Sequence, residues 1–168
     1  MFKGKAVNVW RDEVQYPDGR RVLIEVIRHP GSVAVLPVDE DGKVWFVRQY
    51  RHPAGQLLLE LPAGTLEGDE NPEVTATREI REEIGMAANT LIPLGSFYIA
   101  PGYSDEFMYA YLATGLKPDP LEQDAGEYIE VEKYLLSEVE AMLTRGEILD
   151  AKTVAVMALA RDRLEAYR

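Results

Sequence analysis

The sequence predicts an α+β domain built on a mixed β-sheet. Three observations predict it: runs rich in β-branched residues at 21–28 and 32–38, a helix-length segment at 72–84, and two helical segments after residue 137. Strands, one helix, more strands and two closing helices do not alternate as a βαβ repeat would. No linker or internal repeat interrupts the 168 residues, so one domain, 1–168, is expected.

Residues 4–29 read as β-structure, with Pro17-Asp18-Gly19 as a turn before Arg21-Val22-Leu23-Ile24-Glu25-Val26-Ile27-Arg28. Ser32 to Val38 reads as a buried strand. Asp39-Glu40-Asp41-Gly42 then turns the chain into a second strand, Lys43 to Tyr50. Leu57 to Leu61 is a short apolar run ending at Pro62. Pro72 suits a first helical turn and Gly85 the position past the end, which sets the helix at 72–84. Strands are expected at 91–98 and 106–112, a loop with two prolines at 117–126, and a strand at 128–134. Ser137-Glu138-Val139-Glu140 has the spacing of a capping box with Ser137 at the cap, opening a helix to about residue 145. The last helix is expected over 151–167, with Val154, Met157, Ala158 and Leu164 on its apolar face.

Composition narrows the function classes. Apolar residues make up 46% and charged residues 28%, which fits a packed globular chain. There is no Cys and only His29 and His52, so thiolate chemistry is excluded and a histidine metal site is not expected. Eighteen basic against 29 acidic residues leave a net charge of −11. That argues against a nucleic-acid surface, which needs a basic stripe. No apolar stretch approaches the roughly 20 residues of a membrane span, and the polar start lacks a signal-peptide block, so a cytoplasmic protein without membrane association is expected. An anionic ligand would have to be met by local arginines or bound cations, because the overall field repels it.

The helix at 72–84 carries Glu79, Glu82 and Glu83. Spacings of three and four residues put such side chains on one face, where like charges cost a few tenths of a kcal/mol per pair. Ile80 and Ile84 point away from them. A solvated charged face is one reading; a cluster of hard oxygen donors for Mg²⁺ or Mn²⁺ is the other.

The wider pattern chooses between them. Gly64, five residues, Glu70, seven residues, then Arg78-Glu79-Ile80-Arg81-Glu82-Glu83-Ile84-Gly85-Met86 resembles a complete Nudix box over residues 64–86, with every fixed position met. The flanks Val47-Arg48-Gln49-Tyr50-Arg51, Leu59-Glu60-Leu61-Pro62-Ala63-Gly64, Ala100-Pro101-Gly102-Tyr103-Ser104-Asp105-Glu106 and Gly146 to Thr153 resemble the ADP-ribose pyrophosphatase branch. Gly64 permits close approach of the loop to the helix, and Arg78 is expected to pair with a box carboxylate such as Glu70.

The resemblance implies an α/β/α sandwich and a homodimer in which residues 1–29 form an N-terminal β arm crossing to the partner. It implies two or three Mg²⁺ ions, or Mn²⁺, held by Glu79, Glu82, Glu83 and the Ala63 carbonyl. The implied reaction is hydrolysis of ADP-ribose to AMP and ribose 5-phosphate. Glu127 matches a mobile-loop base, with Glu122 and Asp124 as competitors. Glu106 would orient water or a neighbouring carboxylate; Glu82 and Glu83 would take part in catalysis. Arg51, and less directly Arg48, would hold phosphate, Glu60 would touch the terminal ribose or a partner subunit, and Tyr103 or Tyr98 would stack a base. The N-terminal sheet offers aliphatics such as Leu23 and Ile24 where relatives carry a stacking aromatic. Rival readings are a pyrophosphatase for another nucleotide (a nucleotide sugar, flavin dinucleotide, dinucleoside polyphosphate or nucleoside triphosphate), a non-catalytic nucleotide sensor, and a plain interaction domain.

Overall fold

The computed structural model describes residues 1–4, 7–123, 126 and 128–167. Two sheets account for the strands. The smaller is antiparallel, in the order β1 (Phe2–Lys3), β2 (Asn8–Gln15), β3 (Arg21–Arg28). Its hairpin turns at Gly19, where φ is 87° and the amide donates to Tyr16 O at 2.9 Å.

The larger sheet has seven strands: β4 (Ser32–Val38), β5 (Lys43–Arg51), β6 (Gln56–Glu60), β7 (Ala63–Thr65), β8 (Met86–Tyr98), β9 (Phe107–Pro118) and β10 (Ile129–Leu135). The order is β10-β5-β4-β9-β8, with β6 on β5 and β7 on β4. Among the described strands of this sheet, only β4 and β9 pair in parallel. The sheet is therefore mixed, as expected. The short strand β7 has no counterpart in the sequence reading, which saw only an apolar run ending at Pro62.

Every residue of β4 is buried, because both faces of the sheet are covered. Val33 and Val35 pack with Ile80 of α1 (Pro72–Glu83) and with Ile84 just past its end. Ala34, Leu36 and Val38 pack on the opposite side, with Val139 of α2 (Leu136–Arg145) and Val156 and Leu164 of α3 (Ala151–Leu164). This is the α/β/α layering that the sequence implied.

Two helix details differ from the sequence reading. The cap of α2 is Leu135, whose amide donates to Glu138 Oε2 at 2.8 Å, and Ser137 lies inside the helix. Strand β10 runs straight into α2, so the last strand residue does the capping. In α3 the inward residues are Lys152, Thr153, Val156, Met157, Ala160 and Leu164, while Val154 is exposed. Polar bonds made by Lys152 and Thr153 turn the first turn of α3 and set which face is buried. The arm also carries an exposed aromatic, Trp10 on β2, paired across from Val26, so its side chains are not only aliphatic.

Among the described residues no helix is long and apolar enough to cross a membrane.

Candidate active site

Helix α1 begins with Asn71, whose side chain accepts the Glu73 amide at 2.9 Å, and with Pro72 in the first turn. It stops at Gly85, whose φ of 70° is left-handed and suits glycine. The helix lays Ile80 on the sheet and brings Glu79 and Glu83, four residues apart, against β7 and the end of β6. Glu79 is 8% exposed and Glu83 4%. A solvated charged face does not look like this.

The partners of these carboxylates come from the loop and from Arg78. Glu83 Oε2 accepts the Ala63 amide at 3.0 Å. Gly64 lies so close to Glu79 that a Cβ added there would meet Glu79 Oε1 at 1.9 Å. Arg78 Nη1 stands 2.9 Å from both Glu79 Oε1 and Glu82 Oε2, and Nη2 stands 3.5 Å from Glu70 Oε2. The expected Arg78–Glu70 pairing is therefore present but is the longest of the three. Thr75 Oγ1 donates to Glu70 at 2.8 Å, which holds that carboxyl below the usual range with help from Arg78. Burial opposes the charge on Arg78, yet Glu79 and Glu82 keep its pKa raised.

A cleft of about 540 Å³ opens over these groups. Among the described residues its walls carry seven carboxylates, including Glu79, Glu82, Glu83, Glu60 and Glu106, against three cations, Arg51, Arg78 and Lys152. Hard oxygen donors in such excess suit a divalent cation. Among the described residues, no three His, Cys, Asp or Glu side chains are gathered as a metal site; Arg78 occupies the space between Glu79 and Glu82 instead.

The far wall is built from β5, β6 and the start of α3. Glu60, 1% exposed, takes Arg51 Nε at 2.8 Å and Nη2 at 2.7 Å, and also Lys152 Nζ. Burial pushes the Glu60 carboxyl up, but these two cations outweigh it and hold it below the usual range. Arg51 is raised in turn, chiefly by its bonds to Glu60. Lys152 Nζ also reaches Asp150 Oδ2 at 3.0 Å. Asp150 caps α3 by accepting Thr153 N at 3.0 Å and Oγ1 at 2.6 Å. Sequence reading missed Lys152, Asp150 and Ser32. The first two sit in the quoted Gly146–Thr153 stretch, where an Asp just before a helical segment is a cap signal for Asp150; no local pattern marks Lys152.

The remaining residues divide between the cleft and other surfaces. Glu106 lines the cleft and accepts Ser32 Oγ at 2.8 Å. Ala63 and Glu60 line it too. Arg48 does not: it lies in a separate groove beside α2, paired with Glu132 of β10, whose carboxylate also accepts the Tyr134 hydroxyl. Tyr98 and Tyr103 are 56% and 60% exposed and lie outside the cleft lining, so neither is a core residue. Glu122 is exposed and is not part of the lining. Glu127 and Asp124 lie outside the described residues; the chain reaches the cleft edge at Gln123, just before them.

An α/β/α sandwich with a carboxylate-walled cleft over a glutamate-bearing helix defines a class, and comparison with known proteins agrees with it. The chain belongs to the Nudix family: the NUDIX domain model matches residues 28–157. The protein is accordingly a Nudix hydrolase, acting on nucleotide pyrophosphate linkages, in a family whose members generally need divalent metal ions. It is 38% identical over 155 residues to the ADP-ribose pyrophosphatase of Bacillus subtilis, covering 91% of this chain and 84% of that one. It is 41% identical over 160 residues to the ADP-ribose pyrophosphatase of Mycobacterium tuberculosis, covering 92% and 76%. A crystal structure of an ADP compounds hydrolase superposes with a TM-score of 0.86 at 25% identity, covering 99% of this chain and 90% of that one.

Proposed function

We propose that the protein hydrolyses the pyrophosphate bond of ADP-ribose, giving AMP and ribose 5-phosphate, with Mg²⁺ or Mn²⁺ as cofactor. The substrate rests on one observation: two ADP-ribose pyrophosphatases are 38% and 41% identical to this chain across nearly all of it. The chemistry rests on the cleft.

Glu79, Glu82 and Glu83, with the Ala63 carbonyl, would hold two or three divalent cations, which when bound neutralise diphosphate charge and make a water more acidic. Within the protein, Gly64 keeps the Glu79 carboxylate in place, and the Ala63 amide fixes Glu83. Arg51 faces the cleft from the opposite wall and holds substrate phosphate; Glu60 fixes its direction through two parallel bonds. Glu106, oriented by Ser32, or Glu127 receives the proton of the attacking water. Arg48 and Tyr103 lie outside the cleft lining and are given no substrate role within one chain.

The chain acts as one domain over 1–168 and as a homodimer. The arm supports the second statement. Trp10, Val14, Val22, Ile24 and Val26 fall, with Asp12 among them, on one face of its sheet by register, and Trp10 is 42% exposed. Such a face fits a second copy.

A substrate panel tests the proposal: ADP-ribose, flavin dinucleotide, NADH, diadenosine polyphosphates, nucleotide sugars and nucleoside triphosphates, each with Mg²⁺ and with EDTA. ADP-ribose should give the highest kcat/KM, with AMP and ribose 5-phosphate as products and no turnover in chelator. Preference for a different compound would reject the substrate, and undiminished turnover in EDTA would reject the cofactor.

A further inference from the structure

Lys152 is 9% exposed, on the first turn of α3, and its ammonium touches two carboxylates, Glu60 and Asp150. A lysine is buried this far only when it is paired. The pairing with Glu60 has a consequence for the cleft. Glu60 takes Arg51 Nε and Nη2, which leaves Nη1 as the nitrogen Glu60 does not engage. One carboxylate on one guanidinium would also cancel the charge that Arg51 offers a phosphate. A second cation on the same Oε2 offsets Glu60. Asp150, which balances Lys152 from the other side, is turned toward the Thr153 amide and hydroxyl of α3.

Lys152 is not the sole tie between α3 and the sheet. Thr153 Oγ1 already accepts the Leu61 amide at 2.9 Å, and Val156 and Met157 pack beneath. Lys152 instead acts on the wall of the cleft that it lines beside Arg51.

We infer that Lys152 is a positioning residue: it anchors Glu60 and offsets its charge, so that Arg51 is both aimed at the substrate diphosphate and free to attract it. This rests on the reading of Arg51 as the phosphate-binding side chain. Substrate affinity at that wall is then set jointly by a residue of β5 and a residue of α3.

A double-mutant cycle tests it, using Lys152→Met, Arg51→Ala and the pair, on whichever compound the substrate panel shows to be hydrolysed. Melting temperatures are measured alongside, and Lys152→Gln serves as a second variant if Lys152→Met does not fold. Loss of Lys152 should raise KM about tenfold while kcat stays within about twofold, since a charge-assisted contact to bound substrate is weakened in ground and transition states alike. In the Arg51→Ala background the same substitution should change KM by less than about twofold, because the residue it acts through is gone. Independent, multiplying effects would overturn the inference. So would a lowered melting temperature with KM unchanged, which is the signature of a purely structural ion pair. An enzyme that ignores ADP-ribose but shows the coupling on another diphosphate would overturn the substrate proposal and leave this one standing.

Discussion

Replacing Gly64 by alanine adds a single carbon at the most crowded point of the active site. Its Cβ would lie 1.9 Å from Glu79 Oε1, 2.0 Å from Cδ and 2.5 Å from Oε2. Non-bonded heavy atoms settle at about 3.5 Å, so the carboxylate must retreat by roughly 1.5 Å. That motion also strips the 2.9 Å contact between Glu79 and Arg78 Nη1. The backbone does not object: Gly64 has no left-handed φ, unlike Gly85. Strain therefore falls on the carboxylate and not on the fold. A displacement on the order of 1 Å in a reacting constellation costs about 10²-fold in rate. Gly64→Ala should thus lower kcat about 100-fold at saturating Mg²⁺ and substrate, while the melting temperature falls by only a few degrees, about 4 °C per kcal/mol at this size. Steady-state kinetics and a thermal melt on the same preparation decide it. A kcat within threefold of wild type would show that the position of the Glu79 carboxylate does not matter to turnover. Loss of activity matched by collapse of the melt would show that the glycine serves folding instead.

Glu83→Gln keeps the shape but removes a charge 3.0 Å from the Ala63 amide; turnover should fall by about 10²-fold or more with the far-UV spectrum unchanged, and near-normal Mg²⁺-dependent activity would refute its role. Thr153→Val leaves the buried Leu61 amide without its 2.9 Å acceptor, a loss of about 1–3 kcal/mol, read as a drop in denaturation midpoint with unchanged slope. Stability should decline in acid. Glu60 and Asp105 are pushed up by burial but held below their usual range by Arg51 with Lys152, and by Arg28, while Glu132 is lowered by Arg48. Carboxyls lowered by folding stabilise above their unfolded values near 4, and the contribution disappears as pH falls through the folded ones; a melting temperature flat from pH 6 down to 3 would contradict this. Light scattering at micromolar concentration should give a dimer, and removing residues 1–29 should give a monomer.

The layered fold was legible because its strands and α1 carry strong local signals. Pro72 and Gly85 bracket α1 in sequence and in structure. The errors have a common origin in tertiary bonds. Ser137 looked like a cap, but β10 delivers Leu135 directly and Glu138 completes the turn. Val154 and Ala158 looked like core until Lys152 and Thr153, drawn inward by Glu60 and Leu61, set the orientation of α3. Strand β7 is three residues long and exists because Ala63 to Thr65 pair with Ser32 to Ala34, which no local pattern announces. For the site, spacing along one helix located Glu79, Glu82 and Glu83. Lys152 lies 92 residues from Glu60, and only the fold brings them together. Arg48 and Arg51 are three apart on one strand, yet the structure sends one to the groove beside α2 and the other to the cleft.

The segment from Glu60 to Gly64 shows why the cleft has its shape. The residues of this segment reach β4, β5, α1 and α3. The Glu60 carboxylate binds Arg51 and Lys152. The Leu61 amide donates to Thr153 on α3. Pro62 has no N–H to satisfy, and its carbonyl accepts the Val35 amide of β4 at 2.8 Å. The Ala63 amide donates to Glu83 on α1, and Gly64 leaves room for Glu79. The amides of Leu61 and Ala63, two residues apart, reach α3 and α1 respectively, so this short segment ties a helix of one layer to a helix of the other. The two walls of the cleft are thereby held at a fixed separation by one short piece of backbone. Changes at Gly64 are felt as a moved carboxylate on the α1 wall, and changes at Lys152 as a moved guanidinium on the α3 wall. A rate defect at one end that was rescued by a substitution at the other would be direct evidence that this segment sets the gap.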